Sequence, residues 1–377
     1  MAAWRSIRSV RSQQKLAVLD GSGRSRFDLT NTQMERRLTT VLAVALVLLA
    51  APEVGSQSLR IGIIDFYGLR RVSETQARSA LAVKEGDTIL MAGDARPAFL
   101  VESEHRLSLL PGVLSAHLNL VCCEGGSGII YVGIEEKDAS ILHFREGPQN
   151  RVRLPAGVVQ AGSEFSRALM AAVERGDAAE DHSKGHALMH DPTARAIQER
   201  FIEHARDLTQ LRDVLRHSSD AGHRALAAQI LGYAANKRDV FEDLVYGLSD
   251  PSESVRNNAM RALVVIAHAP SASPCQTLSI PVEPFIGLIN SPVWTDRNKA
   301  ALALLELSES RDPELLSKLR SRAIVPLVEM ARWKSEGHAM PALMILGRIG
   351  DQSDEGVQAA WRRGEREAVI NAALKRP

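Results

Sequence analysis

The sequence predicts an α+β N-terminal module of element order β-α-α-β-β, followed by an all-α superhelical solenoid. Three observations carry that expectation. Between Leu59 and Lys137, strand-like and helix-like stretches alternate between glycine-bearing turns. From Thr193 to the C-terminus, an anchor residue with alanine three positions on and leucine seven positions on recurs. The composition is 45% hydrophobic but only 4% aromatic, and its Ala and Leu content leans helical.

At 377 residues, and roughly 150 residues per domain, two or three domains are expected, with ample chain to bury their cores. The net charge of +1 excludes the overall basic excess that drives binding to nucleic acid or an anionic membrane. Three cysteines cannot close a disulfide framework, because one is always left over.

The N-terminus carries an export signature. Leu38 to Ala51 has no charge and follows Arg36-Arg37. It is too short to span a bilayer, for which ~20 apolar residues are needed. Pro52, Glu53 and Gly55 end it, and Val54-Gly55-Ser56 before Gln57 offers small residues for cleavage. Met34 is a natural alternative start that makes a bacterial signal of ordinary length. Residues 1–33 are accordingly read as an unstructured leader or a mis-called start, and 34–56 as a signal peptide. An organelle transit peptide is the rival, since Arg5, Arg8, Arg11, Lys15, Arg24 and Arg26 oppose only Asp20 and Asp28. The apolar core downstream favours secretion.

In the module, assigned to residues 57–140, Leu59 to Phe66 reads as a strand that ends at Tyr67-Gly68. Ser73 and Gln76 form a capping box with Val72 as a staple, so a helix begins at Ser73 and stops at Lys84-Glu85-Gly86-Asp87. Arg96 to Leu110 is a second amphipathic helix, ended by Pro111-Gly112. Val113 to Cys122 and Ile129 to Glu135 alternate around Gly125-Gly126-Ser127-Gly128 as a hairpin. Cys122 and Cys123 should point to opposite faces and not bridge each other; a bond from one of them to Cys275 stays open. Glu135-Glu136 diverge on a strand end, which suits solvent.

These residues resemble a known family. Gly68-Leu69-Arg70-Arg71-Val72-Ser73, Val83-Lys84-Glu85-Gly86-Asp87, Leu109-Leu110-Pro111-Gly112-Val113 and Val132-Gly133-Ile134-Glu135-Glu136-Lys137 look like a polypeptide-transport-associated (POTRA) domain. The resemblance implies a periplasmic module that binds extended peptide or neighbouring domains, often by strand addition at the sheet edge. Only one copy is visible, and no run of strands for a transmembrane barrel follows. The edge is expected at Leu59 to Phe66 or at Val113 to Cys122, where unpaired backbone groups would meet another chain. The competing expectation is that the sheet packs on the domain that follows.

Residues 141–195 read as a linker with short strands and helices, including a helix from Arg167 to Arg175. His182, His186 and His190 have a spacing that would align on one helical face, but Gly185 and Asp191-Pro192 interrupt it. A solvated linker is the reading taken, and no metal site is assigned.

Residues 196–377 are assigned to the solenoid. Arg224, Arg256, Arg297 and Ala339 are equivalent anchors, 32, 41 and 42 residues apart, a period typical of helical-pair arrays. Leu231, Leu263, Leu304 and Leu346 fill the shared core, while the inner alanines let helices approach closely. Polar turns (Ser219-Asp220, Asp250-Pro251, Ser291-Pro292, Ser335-Glu336-Gly337) precede each anchor. First helices are expected at Leu208 to Leu215, Val240 to Leu248, Pro284 to Ile289 and Ile324 to Ala331. Ala269 to Ile280, with Cys275, is an insertion on one rim.

Asp250-Pro251-Ser252-Glu253-Ser254-Val255-Arg256 makes this half similar to HEAT repeats. The resemblance implies that Arg224, Arg256 and Arg297 lie by the turn beside Asp250 or its equivalents and link successive repeats. Ala339 and Pro341 leave the ladder incomplete at the fourth unit.

No nucleophile elbow, zinc-binding helix, phosphate loop or dinucleotide fingerprint occurs after the signal. The expectation is therefore an exported, non-catalytic adaptor, periplasmic or secreted. It would bind protein partners of the bacterial cell envelope through a sheet edge and a helical-repeat surface. No catalytic, cofactor or metal residue, no nucleic-acid partner and no transmembrane span after signal cleavage are expected. The alternative is a HEAT-like-repeat enzyme of the lyase or metal-dependent hydroxylase type. That would need ligands repeated on the concave face, and His223, His268 and His338 are not at equivalent positions.

Overall fold

A computed structural model describes residues 57–91, 96–137, 139, 142–177, 179–182, 186–267 and 278–375. The leader and signal peptide, His268, Cys275 and most of the 269–280 insertion lie outside the described residues.

The N-terminal part runs β1 (Gln57–Tyr67), α1 (Glu74–Ala80), β2 (Thr88–Met91), α2 (Ala98–Ser108), β3 (Val113–Glu124) and β4 (Ser127–Glu136). The expected β-α-α-β-β order is thus interrupted by β2, a four-residue strand directly after the Gly86-Asp87 turn. Four residues are too short to show alternation, and the sequence pattern assigns no element between the stop at Asp87 and the helix from Arg96. Sheet order is β2-β1-β4-β3, with β1 parallel to β4 and β3 antiparallel to β4. One of the two expected edge strands, β1, is therefore interior, while β3 is an edge. The parallel β1–β4 pair needs a crossover, which the two helices supply.

Local chemistry explains the elements. Ser73 caps α1, its side chain accepting from Gln76 N–H while the Gln76 side chain accepts from Ser73 N–H. Gly125 and Gly126 have φ of 55° and 80°, the left-handed pair that a two-residue hairpin turn requires and that costs glycine nothing. On one face of the sheet, Ile61, Ile64, Leu118, Ile130, Val132 and Ile134 pack with Ala77, Leu100 and Leu107 of the two helices. Glu136, expected in solvent, is 2% exposed. Its carboxylate accepts from the backbone N–H groups of Arg70, Arg71 and Val72 and so fixes the turn after β1.

The other face of the sheet is also covered. Ile63, Tyr67, Val121, Ile129 and Tyr131 belong to the core of the helical repeats. The sheet is thus the middle layer between α1/α2 and the solenoid, and packing on the following domain is what its broad face does. Each large side chain so buried contributes roughly 1.5–3 kcal/mol.

The expected linker is ordered against the repeats. After an extended stretch come α3 (Ala156–Glu174), a two-residue hairpin β5 (Glu180–Asp181) and β6 (Leu188–Met189), and α4 (Pro192–Ile202). Repeating pairs follow: α5 (Leu208–His217) with α6 (Ala221–Leu231), α7 (Phe241–Gly247) with α8 (Glu253–Ala267), α9 (Glu283–Leu288) with α10 (Trp294–Leu307), α11 (Pro313–Ala331) with α12 (Glu336–Ile349), and α13 (Asp354–Arg362) with α14 (Arg366–Lys375). Second helices stack in series, α6 on α8, α8 on α10 and α10 on α12. Leu231, Leu263, Leu304 and Leu346, with Ala227, Ala259, Ala300 and Ala342, are fully buried in that seam. No helix among the described residues is long and apolar enough to cross a membrane.

Candidate binding surfaces

The anchor arginines form a ladder at the turns that links successive repeats. Arg224 donates from Nε and Nη2 to the Asp250 carboxylate at 3.0 and 2.9 Å, and from Nη1 to the Ser218 carbonyl at 2.9 Å. Arg256 donates to both Asp296 oxygens at 2.9 and 2.7 Å, and to the carbonyls of Asp250 and Pro251. Arg297 donates to the Ser291 carbonyl and to Glu329 Oε2, each at 2.6 Å. Each arginine therefore clamps the backbone of its own turn and the carboxylate of the next repeat. The Asp250 side chain belongs to Arg224 and Arg145, not to Arg256. The fourth anchor is Ala339; there Arg348 instead holds Asp354 and the Ser308 hydroxyl.

The N-terminal half covers this ladder. Residues 142–154 run extended along the turns, antiparallel to the order of repeats. Phe144 lies under the Arg256 guanidinium, 3.8 Å from its ring centroid. Arg145 N–H donates to Ser249 O, Asn150 N–H to His217 O and Leu154 N–H to His223 Nδ1. The sheet continues the line. Tyr67 lies under Arg297, 4.4 Å from ring centroid to Cζ, and its hydroxyl donates to Pro292 O at 2.9 Å. Gly68 N–H donates to Glu329 Oε1, so Glu329 ties the repeat ladder to the sheet. Lys334 N–H donates to Asp65, and Tyr131 Oη lies 2.7 Å from His338 Nδ1 beside Trp294 and Trp333. Burial pushes the hydroxyls of Tyr67 and Tyr131 and the Asp65 carboxyl up, and the His338 imidazole down. The aromatics and the histidine at this joint are thus held uncharged near neutral pH.

Gly133 shows how close the approach is. A Cβ there would collide with the Pro292 carbonyl oxygen and the Tyr67 ring. The close approach of backbone across the joint requires glycine at this position.

The three spaced histidines do not converge. His182 faces Glu180, which in turn pairs with Arg261. His186 contacts Lys237, and His190 faces Asp177. Among the described residues, no group of three or more His, Cys, Asp or Glu side chains is placed to hold a metal ion. Burial, with Lys237 beside it, pushes His186 down to about 4. Burial likewise pushes Lys299, near Arg261, down to about 8. Cys122 and Cys123 are both exposed and are bonded to each other, which corrects the expectation of two divergent side chains.

The sheet has two edges, the four-residue β2 and the twelve-residue β3; on β3 the outward backbone of Leu118 meets side chains. Leu118 N–H donates to Glu104 Oε1 at 2.7 Å, and Leu118 O accepts from Arg96 Nη2 at 3.0 Å. Arg96 and Glu104 are themselves joined by two bonds of 2.6 and 2.5 Å.

A mixed sheet packed along the turns of stacked helix pairs defines a helical-repeat architecture. Residues 208–278 match the family of HEAT repeats. Among solved structures, the chain is similar to computationally designed armadillo repeat proteins for modular peptide recognition, at 19% identity and a TM-score of 0.33, over 59% of this chain and 99% of that chain. No curated protein matches the chain.

Asp296 and Glu329 were not singled out from the sequence. Asp296 directly precedes the anchor Arg297, and that adjacency was the available signal. Glu329 gave none, because it lies on a first helix.

Proposed function

We propose that this chain is an exported, non-catalytic adaptor of the bacterial cell envelope, periplasmic or secreted once its signal peptide is removed. The POTRA-like sheet takes an extended strand of a partner at β3, and the exposed faces of the solenoid dock a second protein surface. The observation that carries this reading is the position of β3. Both broad faces of the sheet are buried, by α1/α2 and by the repeats, so an edge is where this sheet can meet another chain through backbone hydrogen bonds, and of the two edges β3, with twelve residues against four in β2, is the longer. Stacked helix pairs supply the complementary feature, a long curved surface suited to an extended partner.

Two measurements test the reading. Fractionation with N-terminal sequencing is expected to find the protein in the envelope fraction beginning at Gln57; a cytosolic protein that retains residues 34–56 would overturn the export part. Photo-crosslinkers placed singly at Leu114 and Leu120 of β3, and at exposed solenoid positions, are expected to trap protein partners in envelope preparations. Absence of adducts from both surfaces would overturn the adaptor part.

A further inference from the structure

Resting on the reading that β3 accepts a strand, we propose that Arg96 and Glu104 form a clamp that closes this edge in the free chain and must open before a strand can pair. In an antiparallel ladder the N–H and C=O of one residue point to the same side, inward at one pair and outward at the next. Leu118 lies opposite Val132, and both of its backbone groups are taken by side chains on the far side from β4. Leu118 is therefore an outward-facing position, and by alternation Ala116 and Leu120 face the same way.

The clamp reproduces what an added strand would bring. The Glu104 carboxylate stands where an incoming carbonyl oxygen would accept from Leu118 N–H. The Arg96 guanidinium stands where an incoming N–H would donate to Leu118 O. The pair spans the groove between α2 and β3, with Glu104 on the helix and Arg96 just ahead of it. Natural sheets guard long edges with charges. From Val113 to Cys123, β3 carries no Asp, Glu, Lys or Arg, so its guard comes from outside the strand.

The clamp is built to yield. The Arg96 side chain is 47% and that of Glu104 19% exposed, so solvent reaches the pair from the Arg96 side and screens it. A strand that forms ladder bonds around Ala116, Leu118 and Leu120 replaces two side-chain bonds with several backbone ones. The occupant is an extended peptide segment, and the clamp sets the threshold for its entry.

The experiment uses the full chain as wild type, E104Q and R96A/E104A, with a terminally blocked peptide copying residues 113–121 as the strand probe. Circular dichroism is expected to be the same for all three chains. Leu118 amide exchange is expected to accelerate about tenfold in R96A/E104A, and the peptide to bind it at least about tenfold more tightly than wild type. E104Q falls between, because its amide oxygen can still accept from Leu118 while the ion pair is gone. Unchanged Leu118 exchange in R96A/E104A overturns the clamp. Faster exchange with equal peptide affinity overturns its gating role and leaves strand addition standing. Faster exchange with no peptide bound by any chain overturns strand addition, and the gate with it.

Discussion

Replacing Asp296 by leucine isolates one rung of the repeat ladder. Arg256 is 2% exposed and Asp296 fully buried. The substitution leaves a buried guanidinium with its Nε and one Nη2 bond unmade, and takes the acceptor from the Ser291 hydroxyl, 2.8 Å away. Removing one partner of a buried ion pair costs about 3–5 kcal/mol, because the remaining charge is uncompensated. Replacing both partners with apolar groups is commonly near neutral. Here it is not free, since Arg256 Nη1 also satisfies the carbonyls of Asp250 and Pro251, and orphaning these costs roughly 1 kcal/mol each. The double variant R256M/D296L is therefore expected to lose about 2 kcal/mol, less than D296L alone. Urea denaturation followed by the fluorescence of Trp294 and Trp333 measures D296L, R256M and the double variant by linear extrapolation. A D296L cost under about 1 kcal/mol, or strictly additive single effects, would refute the reasoning.

Three further outcomes follow from the joint and the loops. Gly133→Ala drives a methyl into Pro292 O and the Tyr67 ring; a loss of about 1–3 kcal/mol is expected by urea melt, and a neutral effect would mean the sheet and repeats are less closely docked. Glu136→Gln is expected to cost about 1.5–3 kcal/mol at neutral pH, because three N–H bonds to a charged acceptor become bonds to a neutral one. Burial alone would raise the pKa of Glu136, but the N–H groups of Arg70, Val72 and Arg71 outweigh it and hold the carboxyl below its ordinary value. Its contribution is therefore present above the unfolded value and lost as pH falls through the folded one, so the gap between wild type and E136Q should close in acid; a gap constant from pH 7 to 3 would contradict this. His186 has its pKa lowered to about 4, so the unfolded chain binds the extra proton between about pH 6.5 and 4. Stability should drop as pH falls from about 6.5 to about 4, and His186→Gln should flatten that slope; an identical slope would exclude the imidazole as its source.

How much was legible in the sequence varied with the range of the interaction. The Ser73–Gln76 capping box, the Gly125-Gly126 turn and the Ala and Leu seams depend on residues within a turn or two, and the structure carries them. The anchor arginines were legible as turn-side links between repeats, but Asp296 and Glu329 were not legible as the carboxylates they hold. Their partners lie 26 to 40 residues away, and local periodicity does not encode that pairing. The burial of both sheet faces had a signal in β4, where Ile129-Ile130-Tyr131-Val132 is apolar at every position instead of alternating. The path of residues 142–154 had none, because backbone bonds to turns such as Ser249 and His217 place few demands on side-chain type. The closure of β3 was likewise hidden, since Arg96 and Glu104 read separately as ordinary polar positions of a helix.

The most direct test of the proposed adaptor role is hydrogen exchange on the full chain, free and in complex with any protein it captures from an envelope fraction. Slowed exchange is expected in β3 around Ala116 to Leu120 and on exposed solenoid helices, relative to the free protein. A complex whose protection lies elsewhere and leaves both surfaces unchanged would contradict the account.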